Sequence, residues 1–298
     1  KMAQWAGYKG INVLATGDFT HPFWFDQLKK ELEDTGNGLF KLRSTVHSSQ
    51  FTDKDRQPLT VNREPIYFLL SCEISSIYSQ GGKGRRVHNL VFFSSLKSVE
   101  KFNNALLKRG GNLRSDGRPI VGISSKDLAK IALDVDEKAL IIPAHAWTPW
   151  FSIFGSFSGF DSIEECFGDM APYIYAIETG LSSDPAMNWQ IADLDRRAIL
   201  SFSDAHSLEK MGREATVFEA EEVSYEAIWK AITGKWEVGG EKLDNEVGSG
   251  KSRISFTIEF YPEEGKYHYD GHRDCHFSQS PEESAENGDA CPVCGRHL

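Results

Sequence analysis

Short apolar segments that alternate with amphipathic helical patterns constrain the fold of this chain more than any other feature. Six of them have the length and composition of buried strands, and they cover residues 11–18, 66–75, 88–93, 139–145, 173–178 and 198–202. Helical patterns cover residues 98–108, 124–133 and 184–195. This alternation predicts an α/β fold with parallel strands and right-handed crossovers, either as a closed barrel or as a doubly wound sheet.

The last apolar segment is followed by two side chains that can bind a metal. Asp204 and His206 stand one residue apart directly after residues 198–202. Positions i and i+2 at a strand end point to the same side, so this carboxylate and imidazole can hold one ion. The alternative is purely structural, with Ser203 and Asp204 capping a helix and His206 in a turn.

The same arrangement recurs at the other predicted strands. Residues with metal-binding side chains lie at or near their ends, namely Asp18, His21, Cys72, Glu73, His88, His145 and Glu178. Each of them alone is more often structural than functional. The carboxyl ends of strands in α/β folds meet at one rim, where catalytic groups collect. Together the residues therefore predict a multinuclear site of imidazoles and carboxylates, suited to Zn, Mn or Fe.

The net charge of −10 argues against a protein that coats nucleic acid nonspecifically. It leaves nucleic acid open as a substrate, because bound cations neutralise the carboxylates of a metal site. Basic clusters lie at residues 83–86, 109–118 and 251–253, either as phosphate contacts or as solvated loops. No apolar run approaches the roughly 18 to 20 residues that a membrane span needs, and no signal peptide is visible.

The five cysteines do not form the pattern of a disulfide framework. Cys72 and Cys166 are isolated, whereas the other three lie near the end of the sequence in the pattern His272-x2-Cys275 and Cys291-x2-Cys294. This spacing predicts a structural zinc ribbon with one cysteine replaced by histidine. Rival fourth ligands are His268, His276 and His297, and the alternative to zinc is three exposed thiols. Free thiols favour a reducing, cytoplasmic location.

The composition changes near residue 235. Residues 234–250 are rich in glycine and charge and are predicted to be a loop or linker, and residues 252–261 alternate as a strand does. We therefore predict a first unit at residues 1–235 and a small unit with a β hairpin and the zinc knuckle at residues 236–298.

Several motifs resemble the polymerase and histidinol phosphatase (PHP) superfamily. They are Thr16-Gly-Asp-Phe-Thr-His21, Cys72-Glu73, Val87-His88, Pro143-Ala-His145, Ile177-Glu178 and Ser203-Asp-Ala-His206. The resemblance covers about residues 11–213 and implies a distorted (β/α)7 barrel with a trinuclear metal site, followed here by the small C-terminal β and zinc-ribbon unit. The superfamily's first motif, His-x-His, is not among these residues. We expect it upstream of Lys1; its true absence would remove two ligands of one metal.

Within the superfamily, the chain is most similar to endonuclease Q enzymes. The strings that carry this resemblance are Gly17-Asp-Phe-Thr-His-Pro22, His145-Ala-Trp-Thr-Pro-Trp150, Glu178-Thr-Gly-Leu-Ser-Ser-Asp184, Met211-Gly-Arg-Glu-Ala-Thr216 and the cysteine-containing tail that begins at Lys266. The resemblance implies a metal-dependent endonuclease that cleaves DNA on the 5′ side of uracil, hypoxanthine, xanthine or an abasic site. A replication or repair protein is a further expected partner, and no membrane is expected.

The resemblance also implies a role for each candidate residue. Two or three divalent ions (Zn, Mn, Mg or Fe) would be held by catalytic ligands, namely Asp18, Glu73, His145, Glu178, Asp204 and His206, with His21 and His88 as further ligands. The candidates for substrate contacts are Lys83, Arg85, Arg86, Asp184, Arg213, Trp147 and Trp150. The two tryptophans either stack on an extruded base or pack within their loop, together with Phe151 and Phe154.

Two other functions stay open from the sequence. One is a small-molecule phosphoesterase of the histidinol phosphatase type, which turnover of a phosphomonoester would reveal. The other is a catalytically inactive DNA-binding module, which would lack metal at Asp204 and His206.

Overall fold

The structure is a computed structural model that describes residues 1–44, 65–115, 117–234, 252–265 and 268–298. Most of the predicted linker, from residue 235 to residue 250, lies outside the described residues. So do Lys266 and Tyr267 of the tail motif and Lys251 of the last basic cluster.

Eight α-helices lie in the described residues. They are α1 (Met2–Lys9), α2 (Pro22–Glu31), α3 (Leu96–Lys108), α4 (Ser125–Val135), α5 (Ile163–Phe167), α6 (Pro185–Asn188), α7 (Tyr225–Thr233) and α8 (Pro281–Asn287). Five begin at a serine whose hydroxyl accepts a backbone N–H of the first turn, and these caps are Ser95, Ser124, Ser162, Ser224 and Ser280. Such caps satisfy donors that would otherwise lack partners, which explains why these helices start where they do.

The helix predicted at residues 184–195 is shorter than expected. Asp184 caps α6, which ends at Asn188, and a separate 3₁₀ turn covers Ala192–Leu194. Further 3₁₀ turns cover Gly168–Tyr173, Gly180–Ser182, Leu208–Lys210, Pro262–Glu264 and Arg273–Cys275.

Thirteen strands are described. They are β1 (Val13–Ala15), β2 (Leu32–Asp34), β3 (Phe40–Leu42), β4 (Tyr67–Gln80), β5 (Lys83–Phe93), β6 (Ile120–Val121), β7 (Leu140–Pro143), β8 (Ala176–Glu178), β9 (Ala198–Leu200), β10 (Ala215–Glu219), β11 (Arg253–Ile258), β12 (Asp270–His272) and β13 (Phe277–Gln279). Seven of them form the main sheet in the order β2-β3-β4-β5-β7, with β1 and β6 both paired to β4. A separate pair, β8-β9, packs beside β7.

The strand directions differ in part from the prediction. β1 and β6 run parallel to β4, and β8 runs parallel to β9, as the alternation predicts. The prediction of parallel pairing is wrong for two pairs, β4 with β5 and β5 with β7, which are antiparallel. For β4 and β5 the cause is the two-residue turn Gly81-Gly82, whose φ angles are 61° and 74°. A tight turn of this kind joins antiparallel strands, whereas a parallel pair needs a long crossover.

The fold is therefore a mixed α/β fold. The described strands form one sheet and three two-stranded pairs and do not close into a ring, so the closed (β/α)7 barrel that the PHP resemblance implies is not observed in them.

Two hydrophobic clusters cover the two faces of the central strands. Phe19, Phe93 and Phe102 are fully buried in the larger cluster, which α3, α4 and α5 cover. The smaller cluster lies under α7. In β7 the side chains alternate between them, with Ile141 in the larger and Leu140 and Ile142 in the smaller. This double burial explains why β7 is apolar throughout, and it fixes the strand that leads to His145.

The C-terminal part contributes two small hairpins. β11 pairs antiparallel with β10, so it joins the two units that the sequence analysis divides at residue 235. β12 pairs antiparallel with β13, which leads into α8 and the last cysteines. No helix in the described part of the chain is long and apolar enough to cross a membrane.

Candidate metal-dependent active site

Three candidate ligands follow strands and have left-handed backbone conformations. Asp18 follows β1 with φ 48°, His145 follows β7 with φ 31°, and Asp204 follows β9 with φ 42°. Residues other than glycine rarely adopt positive φ, which costs about 1–3 kcal/mol, and such residues concentrate at functional sites. The same unfavourable turn at three strand ends points to a requirement of the site.

The centre of the site is formed by Glu73, His88 and His145. One ligand atom from each lies within 4.8 Å of those from the other two. Glu73 Oε1 is 2.7 Å from His88 Nδ1 and 3.4 Å from His145 Nε2, and the two histidine nitrogens are 3.1 Å apart. β4 and β5 supply the first two residues, and the turn after β7 supplies the third. Residues from three parts of the sheet thus meet at one point.

Hydrogen bonds around His145 leave its Nε2 directed at this cluster. Its Nδ1 lies 3.1 Å from Thr148 Oγ1, and the Thr148 hydroxyl in turn donates to the Trp150 carbonyl at 2.8 Å. The hydroxyl oxygen can therefore accept a hydrogen bond from a protonated Nδ1. In that tautomer Nε2 carries the lone pair. Second-sphere contacts of this kind fix the tautomer of histidines that bind metals.

The three groups shift one another's pKa values. Burial alone would raise the pKa of Glu73, but hydrogen bonds with His145 and His88 hold it well below its ordinary value. Burial lowers the pKa of His88 against the effect of Glu73. Burial also opposes a charge on His145, yet the Glu73 carboxylate raises its pKa above the ordinary value. Glu73 is therefore an ionised acceptor and His88 a neutral imidazole, which are the forms that bind cations.

Glu178 lies beside the cluster and is buried. Its carboxylate accepts the backbone N–H of His145 at 2.7 Å. Burial raises the pKa of Glu178 to about 8, and the charges of Asp204 and Glu73 add to this effect. Gly180 explains the close packing here, because a Cβ at this position would lie 2.5 Å from the Cβ of His145.

Asp204 reaches the site from β9. Arg213 positions its loop, with Nε donating to the Ser203 carbonyl at 2.7 Å and an NH2 group donating to the Asp204 carbonyl at 3.0 Å. His206 is exposed, and its Nδ1 lies 3.7 Å from Asp204 Oδ1. Asp18 follows β1 and is not in the group formed by Glu73, His88 and His145; burial raises the pKa of Cys72 well above its ordinary value, and the charges of Asp18 and Glu73 add to this effect.

An open cavity of about 460 Å³ connects the cluster with solvent. Its lining residues are Arg86, His88, His145, Thr148, Trp150, Phe151 and Asp204. This volume is large enough for a nucleotide-sized group. The cluster therefore lies within reach of a ligand that enters from the surface.

The residues fit divalent metal ions. The cluster offers imidazole and carboxylate donors, the set preferred by Zn, Mn and Fe. Three carboxylates, Glu73, Glu178 and Asp204, lie close enough to favour a positive charge on His145 against the effect of its burial. The raised pKa of buried Glu178 is a cost that a nearby cation would reverse.

The other predicted residues lie at varying distances from the cluster. His21 is the N-cap residue of α2, and the described metal-competent groups do not include it. Lys83 is exposed at the end of the β4–β5 hairpin. Arg85 is buried; it pairs with Glu165 at 2.7 Å and donates to the Gly159 carbonyl. Asp184 caps α6.

Sequence reasoning missed three residues that support the site. Thr148 holds His145, and Arg118 lies 3.4 Å from both carboxylate oxygens of Glu73. Gly117 lies against Asp18, since a Cβ there would be 2.3 Å from Asp18 Oδ2. The available signals were weak, because Gly117 and Arg118 lie in a basic segment that also suits a solvated loop, and Thr148 carries no metal-binding group.

The second group of ligands lies in the C-terminal part. His272, Cys275, Cys291 and Cys294 each offer an atom within 4.8 Å of the others. His272 Nδ1 is 3.2 Å from Cys294 Sγ and 3.5 Å from Cys275 Sγ. Tetrahedral zinc with ordinary bond lengths places its nitrogen and sulfur ligands about 3.5 Å apart. Of the rival ligands, His297 instead contacts Asp289 at 2.8 Å.

The thiols of this group differ in acidity. The backbone N–H and the side chain of Arg296 lower the pKa of Cys294 to about 6, whereas the neighbouring Cys294 and Cys291 thiols raise the pKa of Cys275 to about 11. A preformed thiolate beside further thiols is an environment that a cation stabilises.

The structure is similar to solved structures of lesion-specific endonucleases. The structure superposes on Endonuclease Q from Pyrococcus furiosus, described as a novel lesion-specific endonuclease, with TM-score 0.73 and 29% sequence identity. It superposes on Endonuclease Q in complex with a 27-mer duplex substrate with an abasic lesion at the active site, with TM-score 0.75 and 30% identity. Each match covers 99% of this chain and 62% of the other.

Two sequence relatives are uncharacterised proteins. YqxK of Bacillus subtilis is 29% identical over 202 residues, which is 66% of this chain and 48% of that protein. MJ0043 of Methanocaldococcus jannaschii is 27% identical over 141 residues, which is 47% of this chain and 13% of that protein. No model of a known protein family matches the sequence. The chain thus spans only part of each relative.

Proposed function

We propose that this chain carries the active site of a metal-dependent DNA endonuclease of the endonuclease Q type. The proposed reaction is hydrolysis of a phosphodiester 5′ to uracil, hypoxanthine, xanthine or an abasic site during DNA repair. The observation that carries the proposal is the cluster of Glu73, His88 and His145 beside an open cavity. The likeness of the whole chain to Endonuclease Q structures supports it.

We assign the metal ions to the residues that gather around this cluster. Glu73, His88 and His145 would hold the first ion, and further ions would use Asp18, Glu178, Asp204 and His206, with His21 as an outer candidate. Divalent ions at such a site lower the pKa of bound water and neutralise charge on phosphate oxygens. Imidazole and carboxylate donors are compatible with Zn, Mn or Fe, and Mg would rely on the carboxylates.

The residues of the chain supply positioning. Thr148 fixes the tautomer of His145 by a hydrogen bond to Nδ1, and the Arg118 guanidinium forms an ion pair with Glu73. Arg213 fixes the carbonyls of the Asp204 turn. Arg86 lines the cavity with a guanidinium, which suits a phosphate oxygen of the substrate backbone. Lys83, at the exposed hairpin end, is a more distant candidate for the same role, whereas the contacts of Arg85 and Asp184 favour structural roles.

The size of the cavity suits an extruded nucleotide. Its volume of about 460 Å³ is within the range of sites that bind one small ligand. Enzymes that act inside a duplex extrude the target nucleotide, which costs less energy when the base is damaged or missing. This selectivity matches the abasic substrate of the structural neighbour.

We propose a structural zinc ion at His272, Cys275, Cys291 and Cys294. Four protein ligands leave no open position for a substrate, so this ion would stabilise the tail and not act on DNA. The pairing of β10 with β11 connects this small unit to the catalytic unit.

Four further expectations from the sequence remain proposals. They are a PHP-type barrel, the division at residue 235, a cytoplasmic location and a repair or replication partner.

The test is cleavage of labelled duplexes in the presence of Mn²⁺ or Mg²⁺. We expect one nick 5′ to a single uracil or abasic site and no nick in the same duplex without the lesion. Equal cleavage of both duplexes would contradict lesion specificity. Turnover of a phosphomonoester without nicking would favour the histidinol phosphatase alternative, and stable DNA binding without either reaction would favour an inactive module.

A further inference from the structure

The loop after β7 contains two aromatic pairs with the same seven-residue spacing. Trp147 and Phe154 form the inner pair, with ring centroids 4.8 Å apart and planes inclined by 32°. Trp150 and Phe157 form the outer pair, with centroids 4.7 Å apart and planes inclined by only 14°. The two pairs are chemically alike and differ in their surroundings.

The inner pair is part of the hydrophobic core. Both rings pack against the larger buried cluster. Trp147 Nε1 donates to Asn188 Oδ1 at 2.8 Å, and the Phe154 N–H donates to the Ala146 carbonyl at 3.0 Å. These contacts satisfy the polar atom and bury the rings, which is the ordinary way in which a loop uses aromatic residues.

The outer pair projects into solvent. Trp150 is 44% exposed and Phe157 is 52% exposed. Leaving a large apolar side chain in water costs roughly 25 cal/mol of folding free energy for each Å² exposed. Exposed apolar groups beside a polar cavity are typical of binding surfaces.

The backbone of this loop is fixed in place. The Phe157 N–H donates to the Pro149 carbonyl at 3.1 Å, and the His88 N–H donates to the Phe151 carbonyl at 2.9 Å. The Arg86 N–H donates to the Ser158 carbonyl at 3.3 Å. Phe151 has φ 65°, a conformation that these flanking contacts maintain. The backbone that carries the outer rings is thus held by hydrogen bonds, which reduces the ordering needed when they bind.

The outer pair is continuous with the candidate active site. Trp150 lines the same cavity as His88 and His145. The Arg86 guanidinium lies over the Trp150 ring, 5.0 Å from its centroid. The Trp150 ring is thus covered by Phe157 and Arg86, and the half-exposed Phe157 ring is the one that can stack on a base.

We propose that the Phe157 ring, supported by Trp150, enters the duplex at the lesion and fills the gap that the extruded nucleotide leaves in the base stack. This inference rests on the proposed function, because it assumes a nucleotide extruded into the cavity. The flat ring replaces the stacking that the neighbouring bases lose, and Arg86, which lies over Trp150, would face the phosphates of the same gap. Apolar side chains that insert between bases in this way stabilise distorted duplexes in other proteins.

The proposal is tested with Phe157→Ala and Trp150→Ala, and the matched control is Tyr173→Ala. Tyr173 is 46% exposed and lies before β8, whose carboxyl end carries Glu178. We expect each variant of the outer pair to cleave a duplex with a paired uracil about tenfold more slowly, since one stacked base contributes about 1–3 kcal/mol. Phe157→Ala should cleave a duplex in which the uracil is a single-nucleotide bulge at nearly the wild-type rate, because no gap remains there after extrusion. Trp150→Ala should be slower on both substrates, because Trp150 also lines the cavity. The control should match the wild type on both substrates.

A second readout does not depend on cleavage. A 2-aminopurine next to the lesion on the same strand should stay dim when wild-type protein binds, because the inserted ring stacks on it, and should brighten with Phe157→Ala, because the extruded nucleotide then leaves it unstacked. Equal loss of rate on paired and bulged substrates with Phe157→Ala, or unchanged rates and fluorescence in both variants, would overturn the proposal. A probe that stays dim with the wild type and brightens with Phe157→Ala, without a nick by the wild type, would contradict the proposed function and leave the insertion supported.

Discussion

The two clusters of candidate metal ligands in this chain differ in their donor atoms and in their access to a substrate. Around Glu73, the three donors come from one hairpin and from the turn after β7, are spread over 73 positions, and open onto a cavity. Around Cys291, four donors lie within 23 positions of one another and offer thiolates in place of carboxylates.

This difference explains which cluster can act on a substrate. A closed set of four ligands fixes an ion and stabilises its own short segment. A set with few protein ligands, surrounded by further carboxylates, leaves positions for water and phosphate. Backbone strain occurs at both clusters, since Asp18, His145 and Asp204 near the first and His276 beside the second have positive φ. The predictions below test this contrast from its largest expected effect to its smallest.

The largest effect is expected at Glu73. Glu73→Gln removes the charge that both histidines face, so we expect the cleavage rate to fall by at least about a thousandfold, with loss of metal from this site. Cleavage assays and metal analysis measure both changes. Zinc at the tail should be retained, and Glu100→Gln, an exposed residue of α3, should behave as wild type. Wild-type cleavage by Glu73→Gln would refute the role of the first cluster.

The second prediction concerns the tail. Cys291 is buried, and Cys291→Ser removes one of the four tail ligands. We expect zinc affinity to fall by at least about a hundredfold and the tail to lose protection from amide hydrogen exchange. His297→Ala is the control, because His297 contacts Asp289 and should leave the zinc in place. If His297→Ala loses zinc and Cys291→Ser retains it, His297 would replace Cys291 in the proposed ligand set.

The third prediction concerns the buried carboxyl group of Glu214. Burial raises the pKa of Glu214 to about 7 from an ordinary value of 4.5, and the charge of Glu259 adds to the shift. The folded state therefore holds this proton more tightly than the unfolded state does. The stabilisation is complete below pH 4.5 and is lost as the pH rises through about 7.

Glu214→Gln should remove this dependence, which amounts to as much as about 3 kcal/mol. Denaturant unfolding at several pH values measures it, with Glu222→Gln, an exposed residue, as the control. An unchanged pH profile in Glu214→Gln would show that its carboxyl titrates normally.

The smallest effect is expected at Thr148. Thr148→Val removes the hydroxyl that accepts the His145 Nδ1 proton, so metal affinity at the first cluster should fall about tenfold. Titration with Mn²⁺ measures the change, and Thr148→Ser should restore the affinity because it keeps the hydroxyl. Equal loss in the serine variant would indicate that the methyl group, and not the hydrogen bond, matters here.

The sequence was a good guide to the strand ends and a poor one to the strand directions. Apolar runs located the strands before Asp18, His145, Glu178 and Asp204, because burial on both faces imposes a local pattern. The antiparallel hairpin of β4 and β5 was missed, although Gly81 and its neighbour Gly82 form a recognisable turn.

Tertiary contacts decide what local patterns cannot. Arg85 and Arg86 are adjacent in the chain, yet the first is buried against Glu165 and the second lines the cavity. Period-2 alternation along β5 separates them, and its phase depends on the partner strands. Likewise, Trp147 and Trp150 have similar local sequences but lie in the core and at the surface, respectively.

The most direct test of the account is an anomalous difference map from crystals grown with Mn²⁺ and zinc. The account predicts manganese within bonding distance of Glu73, His88 and His145, and zinc alone among His272, Cys275, Cys291 and Cys294. A map without a peak near Glu73, from crystals in which the tail zinc is visible, would contradict the claim that the first cluster is a metal centre.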